Sequence, residues 1–197
     1  MLEAKFDNIY KKNIWGGGSG TGSKLSHDNK WYLKILQDII KDKGIKNILD
    51  IGCGDWEIMK NLSYEGLVYD GIDIVKSVID NNKDYESHNI RFYHKNILNE
   101  DIENYDLIII KDVLQHLEDY DIIKIMDKLM EKGKYILCVN GYKFGRTPEK
   151  NNWEIRNIKN RYSYHPASIE KQPLIKYKGN MILKELRRCK EYILIKP

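Results

Sequence analysis

Apolar residues recur at Tyr32, Leu33, Ile35, Leu36, Ile39 and Ile40, the spacing of one helical face, and Gly44 stands where such a helix would stop. The pattern then changes. "KNILDIGCGDW" reads as a short apolar strand running into glycines. A stretch long enough for one helix follows, and "LVYDGIDIV" is a second strand. "NIRFYHKNIL" and "YDLIIIKDVLQHL" supply the third and fourth. Ile122, Ile123, Ile125, Met126, Leu129 and Met130 form another helical stripe closed by Gly133, and "KYILCVN" is a fifth strand. "MILKELRR" and "EYILIKP" are the last two, joined by a short turn.

Strands alternating with helical segments predict an α/β chain, a mostly parallel sheet with helices on both faces. The closing pair is joined too tightly for a crossover helix and must be antiparallel. With no internal repeat or low-complexity tract, one domain is expected over 1–197. It divides into a glycine-rich segment (1–26), a core (27–140) and a tail with the terminal hairpin (141–197).

Composition narrows the setting. At 197 residues the chain can bury a core without disulfides, and 42% hydrophobic with 31% charged residues is a globular balance. Net charge is +4, but the lysines are scattered and form no dense basic stripe of the kind nucleic-acid binders carry. Cys53, Cys138 and Cys189 are far apart, with no CxxC pair, so neither a disulfide framework nor a zinc site is supported. The opening residues lack a signal peptide's apolar core, and the longest strongly apolar run, Leu107 to Ile110, is far too short to span a membrane. The expectation is a soluble cytoplasmic protein with no membrane partner and no metal; oligomeric state is left open.

The chemistry concentrates in "LDIGCGD". A strand ending in Asp50, Gly52 and Gly54 lets backbone approach a ligand at the carboxyl edge of the sheet, where open α/β sheets bind cofactors. Nineteen residues beyond Gly54, Asp73 ends the second strand, placed to hold both ribose hydroxyls of an adenosine. A dinucleotide fingerprint wants a third glycine at position 57, where this chain has Glu57 preceded by Trp56. A carboxylate there repels a pyrophosphate. S-adenosylmethionine has no phosphate, and Asp50 suits its cationic sulfonium and amino group.

"ILDIGCGDW", "GIDIV", "NIRFYHKNIL" and "YDLIIIKDVLQHL", in this order and spacing, resemble the successive motifs of class I S-adenosylmethionine-dependent methyltransferases. The likeness extends to a group of small methyltransferases with the "IWGGGSGTGS" start, and to that group's aromatic, proline-containing tail at "YSYHPASIEKQPL". The resemblance implies a Rossmann-like, mostly parallel seven-stranded sheet with S-adenosylmethionine as cofactor. It implies that Asp50, Gly52 and Gly54 line the methionine end and that Asp73 binds the ribose, with Ile74 beside the adenine. Asn96, where many relatives have Asp, and Ile97 would sit at the adenine edge. Lys111 and Asp112 would face the transferred methyl.

The glycine stretch "NIWGGGSGTGS" is no P-loop: it ends Gly22-Ser23-Lys24 rather than Gly-Lys-Ser/Thr, and "KFDNIYKKN" before it is too short and polar for a buried strand. The reading adopted is a lid. Trp15 anchors it, and its backbone (Gly20, Gly22) with Ser19, Thr21 and Ser23 contacts cofactor or substrate. An N-terminal arm without fixed structure is the alternative.

For an alcohol acceptor, a base assists by roughly 10²–10⁴-fold. Asp112 and His116 are four residues apart and share one face if a helix begins there. His116 is the candidate base, or else a packing residue at the helix start; Asp112 would orient it or act itself. Tyr164 and His165 are candidate substrate contacts, and His165 is a second candidate base or else a loop residue. "KDVL" lacks the proline motif of amino-group methylation of bases, no Pro-Cys nucleophile lies there, and the paired carboxylates of magnesium-dependent enzymes are not evident. What remains is a hydroxyl on a small polar molecule or glycan, with Tyr142, Trp153, Tyr162 and Tyr164 as rings for a sugar face. Methylation of an RNA ribose 2′-hydroxyl, through Lys111 or another lysine with Asp112, is one alternative. A cofactor-binding partner protein without catalysis is the other.

Overall fold

The computed structural model describes residues 2–142 and 166–197. Seven strands, in the order β3-β2-β1-β4-β5-β7-β6, make a mostly parallel sheet with an antiparallel carboxyl-terminal pair, as the alternation of the pattern predicts. The chain falls into two compact units, Met1–Asp101 and Ile102–Pro197.

The first unit opens with α1 (Leu2–Lys11), a helix in the segment whose short, polar sequence excludes a buried strand. The glycine stretch follows, then α2 (His27–Lys43). Ser26 caps α2 by accepting from the Asn29 N–H at 3.3 Å, and Gly44, with φ 63°, ends it by donating to the Ile40 and Lys41 carbonyls. Its buried face is the periodic set read from the sequence, with Tyr32, Leu33, Ile35, Leu36 and Ile39 inside. Strands β1 (Asn47–Ile51), β2 (Val68–Asp73) and β3 (Ile90–His94) pair in parallel, β2 in the middle. After β2 comes the short helix α3 (Lys76–Asn82).

The stretch between β1 and β2, long enough for one helix, holds no α-helix. That stretch holds only a single 3₁₀ turn, Met59–Asn61. In its place the Trp56 ring is buried against Tyr64, Tyr85 and Phe92 at centroid distances of 5.8, 5.3 and 5.3 Å, with Tyr69 at 6.0 Å. A residue with φ 57° cannot begin a right-handed helix, and the aromatic cluster supplies the apolar burial a helix face would have given.

The second unit holds β4 (Tyr105–Lys111), α4 (Asp119–Lys132) and β5 (Gly133–Gly141), then β6 (Met181–Arg187) and β7 (Lys190–Ile195). Strands β4 and β5 pair in parallel; β7 runs antiparallel to both β5 and β6. Leu107 to Ile110 are wholly buried, the continuous apolar run of a strand covered on both faces. Met126 and Leu129 of α4 are equally buried, completing the stripe read from the sequence.

Candidate active site

The turn after β1 is built from backbone. Gly52 and Cys53 both donate to the Ile72 carbonyl, at 2.8 and 3.1 Å, which holds the turn against the end of β2. Gly52 and Gly54 have φ of 70° and 56°, a region L side chains rarely enter. Asp73, buried, accepts from the Gly54 N–H at 3.1 Å through Oδ2 and from the Val75 N–H at 2.9 Å through Oδ1. Burial pushes its pKa up, and these N–H donors pull it back. Asn82, buried on α3, props the turn from beneath by donating to the Gly54 carbonyl at 2.7 Å. Asp50 is also buried and accepts from the Tyr69 hydroxyl at 2.8 Å.

The glycine stretch packs as a strap on this same turn. Trp15 lies edge-on to Tyr10 at 5.7 Å and tilted on Phe6 at 6.2 Å, fastening the strap to α1. Gly20 passes so close that a Cβ there would lie 2.9 Å from the Trp15 Cβ. Ser19 and Asp55 form a reciprocal pair. The Ser19 N–H donates to Asp55 Oδ2 at 2.8 Å, and the Asp55 N–H donates to Ser19 Oγ at 2.8 Å. The Tyr10 hydroxyl is 2.8 Å from the same Oγ. A Cβ on Gly54 would collide with Ser19 Oγ, and one on Gly18 with the Asp55 carboxylate. Gly22 gives its carbonyl to Asn29 Nδ2 at 2.9 Å, while the Ser23 hydroxyl donates to the Ser19 carbonyl at 3.3 Å. The hydroxyls of Ser19 and Ser23, expected to face a ligand, thus serve the strap itself. Ser19→Ala is expected to lower the melting temperature by a few degrees, since it removes an acceptor worth about 1 kcal/mol. A thermal melt that matches the parent would show the pair contributes nothing.

On the far side of Asp73, the Ile74 carbonyl lies 3.0 Å from His94 Nε2, which is also 3.1 Å from Glu3 of α1. Asn96 begins a tight turn. Its Oδ1 accepts from the Leu98 N–H at 3.0 Å and its own N–H donates to Glu100 at 2.7 Å. The Asn96 oxygen is therefore already engaged. Asn96 and Ile97 are both half-buried.

In the second unit, Lys111 ends β4 and Asp112 follows with φ 60°, its N–H donating to the Val139 carbonyl at 2.8 Å. This left-handed residue overturns the idea that Asp112 and His116 share a helical face. The chain makes a 3₁₀ turn at Leu114–His116, and α4 begins only at Asp119. Among the described residues the Asp112 carboxylate meets Lys111, at 2.7 Å, and Lys190 from the start of β7. His116 is half-buried at the end of its turn. Buried Gln115 accepts from the Gly141 N–H at 2.7 Å, tying this turn to β5. Tyr164 and His165, with Trp153 and Tyr162, lie outside the described residues. Tyr142 donates to the Arg188 carbonyl at 3.3 Å.

Sequence reasoning missed Tyr10, Asp55, Asn82 and Lys190. Asp55 directly follows the glycine turn and could have been read as part of it. The others reach their places through tertiary pairing.

Residues 25–171 match the family model described as a methyltransferase domain. Ubiquinone biosynthesis O-methyltransferases of Coxiella burnetii and Rickettsia bellii are similar, at 30% identity over 119 residues and 31% over 122. Each match covers 58% of this chain and 50% of the relative, so the chain spans about half the length of the curated relatives it matches. Human N-acetylserotonin methyltransferase, solved with its methyl donor, has a TM-score of 0.63 at 15% identity, over 100% of this chain and 59% of that one. The methyltransferase domain of bacterial CtHen1-CN has a TM-score of 0.63 at 16% identity, over 86% and 99%. These solved structures share the fold.

A sheet of this order whose first strand ends in a left-handed glycine turn, answered by a buried acid at the end of the second, defines the class as a Rossmann-like methyltransferase. The chain belongs to the methyltransferase-domain family, an S-adenosylmethionine-dependent enzyme class. The residues fit that donor. The carboxylates at the turn, Asp50, Asp55 and Asp73, suit a cationic sulfonium and amino group and would repel a pyrophosphate. Among the described residues no helix is long and apolar enough to cross a membrane.

Proposed function

We propose that this chain methylates a hydroxyl of a small polar acceptor, with a sugar or nucleotide sugar as the narrower reading. The observation that carries O-methylation is the 30% identity with curated O-methyltransferases within a methyltransferase-domain match. The sugar reading rests on the aromatic tail alone. Gly52 and Gly54 hold the methionine end by backbone approach, and Asp50 favours its positive charge. Asp73 takes the ribose hydroxyls with the lone pairs its backbone donors leave, and Ile74, Asn96 and Ile97 bound the adenine. Trp15, Gly20, Gly22 and Ser23 form the strap that covers the turn.

The sulfonium supplies a methyl cation equivalent to an in-line nucleophile, so positioning accounts for much of the rate. Lys111 and Asp112 belong to the acceptor side, and His116 is the second group nominated there. Asp112→Asn is expected to lower turnover about 10²-fold while S-adenosylhomocysteine affinity stays within about twofold. Calorimetric titration beside a radiolabelled methyl-transfer assay separates the two. A rate equal to the parent's would remove Asp112 from the reaction.

The function itself is tested by methyl transfer to three probes: UDP-glucose, 3,4-dihydroxybenzoate and an RNA transcript. Transfer to UDP-glucose supports the sugar reading, and transfer to the phenol alone keeps O-methylation and discards the sugar. Transfer to RNA alone moves the assignment to a ribose hydroxyl. S-adenosylhomocysteine binding without transfer to any probe points to the non-catalytic alternative.

A further inference from the structure

At the turn after β1, one serine engages both polar groups of one aspartate. The Ser19 N–H donates to Asp55 Oδ2, and Ser19 Oγ accepts from the Asp55 N–H, both at 2.8 Å. The Tyr10 hydroxyl meets the same Oγ, also at 2.8 Å. Ser19 Oγ stands on the open face of Gly54, where an added Cβ would collide with it and lie 3.4 Å from the Tyr10 oxygen. That face is where the reading above brings the methionine end of the donor against the backbone. On that reading, strap and donor compete for one place. Burial, then the charge of Asp73, push the Tyr10 pKa up, so its phenol stays protonated and able to donate.

The groups that Ser19 presents are laid out like those of a free α-amino acid. As many bonds separate its N from its Oγ as separate the nitrogen of an amino acid from a carboxylate oxygen. In each, a donor nitrogen can face the Asp55 carboxylate while an acceptor oxygen faces the Asp55 N–H. The free amino acid binds more strongly, because its ammonium and carboxylate make charge-assisted hydrogen bonds where Ser19 offers neutral groups. The strap is fastened on either side of this contact. Upstream, Trp15 packs on Phe6 and Tyr10 of α1. Downstream, buried Asn29 donates to the Gly22 and Lys24 carbonyls at 2.9 and 2.6 Å. Ser19 itself is flanked by Gly18 and Gly20, with φ of 53° and 88°. Backbone of that freedom on both sides lets Ser19 turn away while the two fastenings hold.

We propose that Asp55 binds the α-amino-acid end of the methyl donor and that Ser19 is its built-in stand-in, displaced when the donor arrives. This rests on the reading of the glycine turn as the donor site. The donor's ammonium takes the Asp55 carboxylate in place of the Ser19 N–H. Its carboxylate takes the Asp55 N–H and the Tyr10 O–H in place of Ser19 Oγ. A nucleoside without an amino-acid end leaves the Ser19–Asp55 pair closed.

Calorimetric titration of the whole protein with two nucleosides tests this. One is S-adenosylhomocysteine; the other is 5′-methylthioadenosine, which keeps the adenosine and the thioether but has no amino-acid end. Ser19→Ala removes the competitor for the Asp55 N–H, so it should bind S-adenosylhomocysteine about fivefold tighter despite its lower melting temperature. Asp55→Asn keeps the N–H but loses the charge, and should bind S-adenosylhomocysteine about tenfold more weakly. Neither change touches a group that 5′-methylthioadenosine meets, so both variants should bind it within about twofold of the parent.

Ser19→Ala with unchanged or weaker S-adenosylhomocysteine affinity overturns the proposal, since Ser19 then stands clear of the donor or contacts it directly. So does Asp55→Asn that leaves S-adenosylhomocysteine binding unchanged, or that weakens both nucleosides alike and so acts only through the fold of the turn. Asp73→Ala reads the underlying assignment separately, because a ribose contact serves both nucleosides. If it weakens neither, the donor does not sit at this turn, and the proposal falls with that reading. If it weakens both while the Ser19 and Asp55 variants do not single out S-adenosylhomocysteine, the donor site stands and the role of Asp55 is wrong.

Discussion

Asp73→Ala is expected to weaken S-adenosylhomocysteine binding by about 1–3 kcal/mol, the scale of hydrogen bonds to a charged group. It should also destabilise the protein without any ligand. Asp73 Oδ2 and Oδ1 accept from the Gly54 and Val75 N–H groups, and alanine leaves both donors unanswered. Each unsatisfied buried donor costs about 1–3 kcal/mol, offset in part by relieving the burial of a carboxylate whose pKa is already pushed up. A net loss of about 2–4 kcal/mol corresponds to a melting point lower by about 5–10 °C. Asp73→Asn separates the two effects. It keeps one oxygen to accept from a backbone N–H while exchanging the other for an amide NH2 that cannot accept, so it should retain more stability than affinity. Calorimetry with S-adenosylhomocysteine and thermal melts without it read the two quantities. Unchanged affinity in the alanine variant would end the ribose assignment, whatever the melt shows.

Gly54→Ala is expected to cost nearly as much, by a different route. At φ 56° an L residue is strained by about 1–2 kcal/mol, and the added methyl would occupy the place of Ser19 Oγ. Ser19 would have to withdraw, and with it go the Asp55–Ser19 hydrogen bonds and the Tyr10 contact. The expected signature is a melting point lower by about 5 °C or more, together with loss of protection in the strap. Hydrogen exchange resolved by peptide should show residues 13–23 exchanging faster while the Leu107–Ile110 strand stays protected. Equal exchange in the strap of parent and variant would mean that the Ser19 latch is not what holds it.

Much of this molecule was legible because its signals are local. All seven strands, the Gly44 helix stop, and the two buried helical stripes follow from periodicity and turn residues, which act over a few positions. The glycine turn and its acid were legible because φ above zero and a strand end leave marks in the sequence itself. Where reading failed, the reason was physical in each case. Trp56 takes a left-handed conformation and packs on aromatic neighbours on β2 and β3, so whether the stretch after β1 used its room for a helix depended on partners far along the chain. Asp112 does the same at the end of β4, and a four-residue spacing then no longer means a shared face. Lys190 lies 78 positions from Asp112, and only the antiparallel docking of β7 on β5 brings them together. Tyr10 was hidden in a helix whose polar composition suggested nothing beyond solvent.

The Ser19–Asp55 latch also bears on how the chain assembles itself. Its two ends are 36 residues apart, and α1 with the strap leaves the ribosome before any residue of the turn they grip. Until β1 and β2 have emerged and paired, the aromatic face of α1 has no native surface to rest on. The segment made before the turn should therefore be among the last in its unit to set. Refolding followed by Trp15 fluorescence would then lag behind a probe in β1.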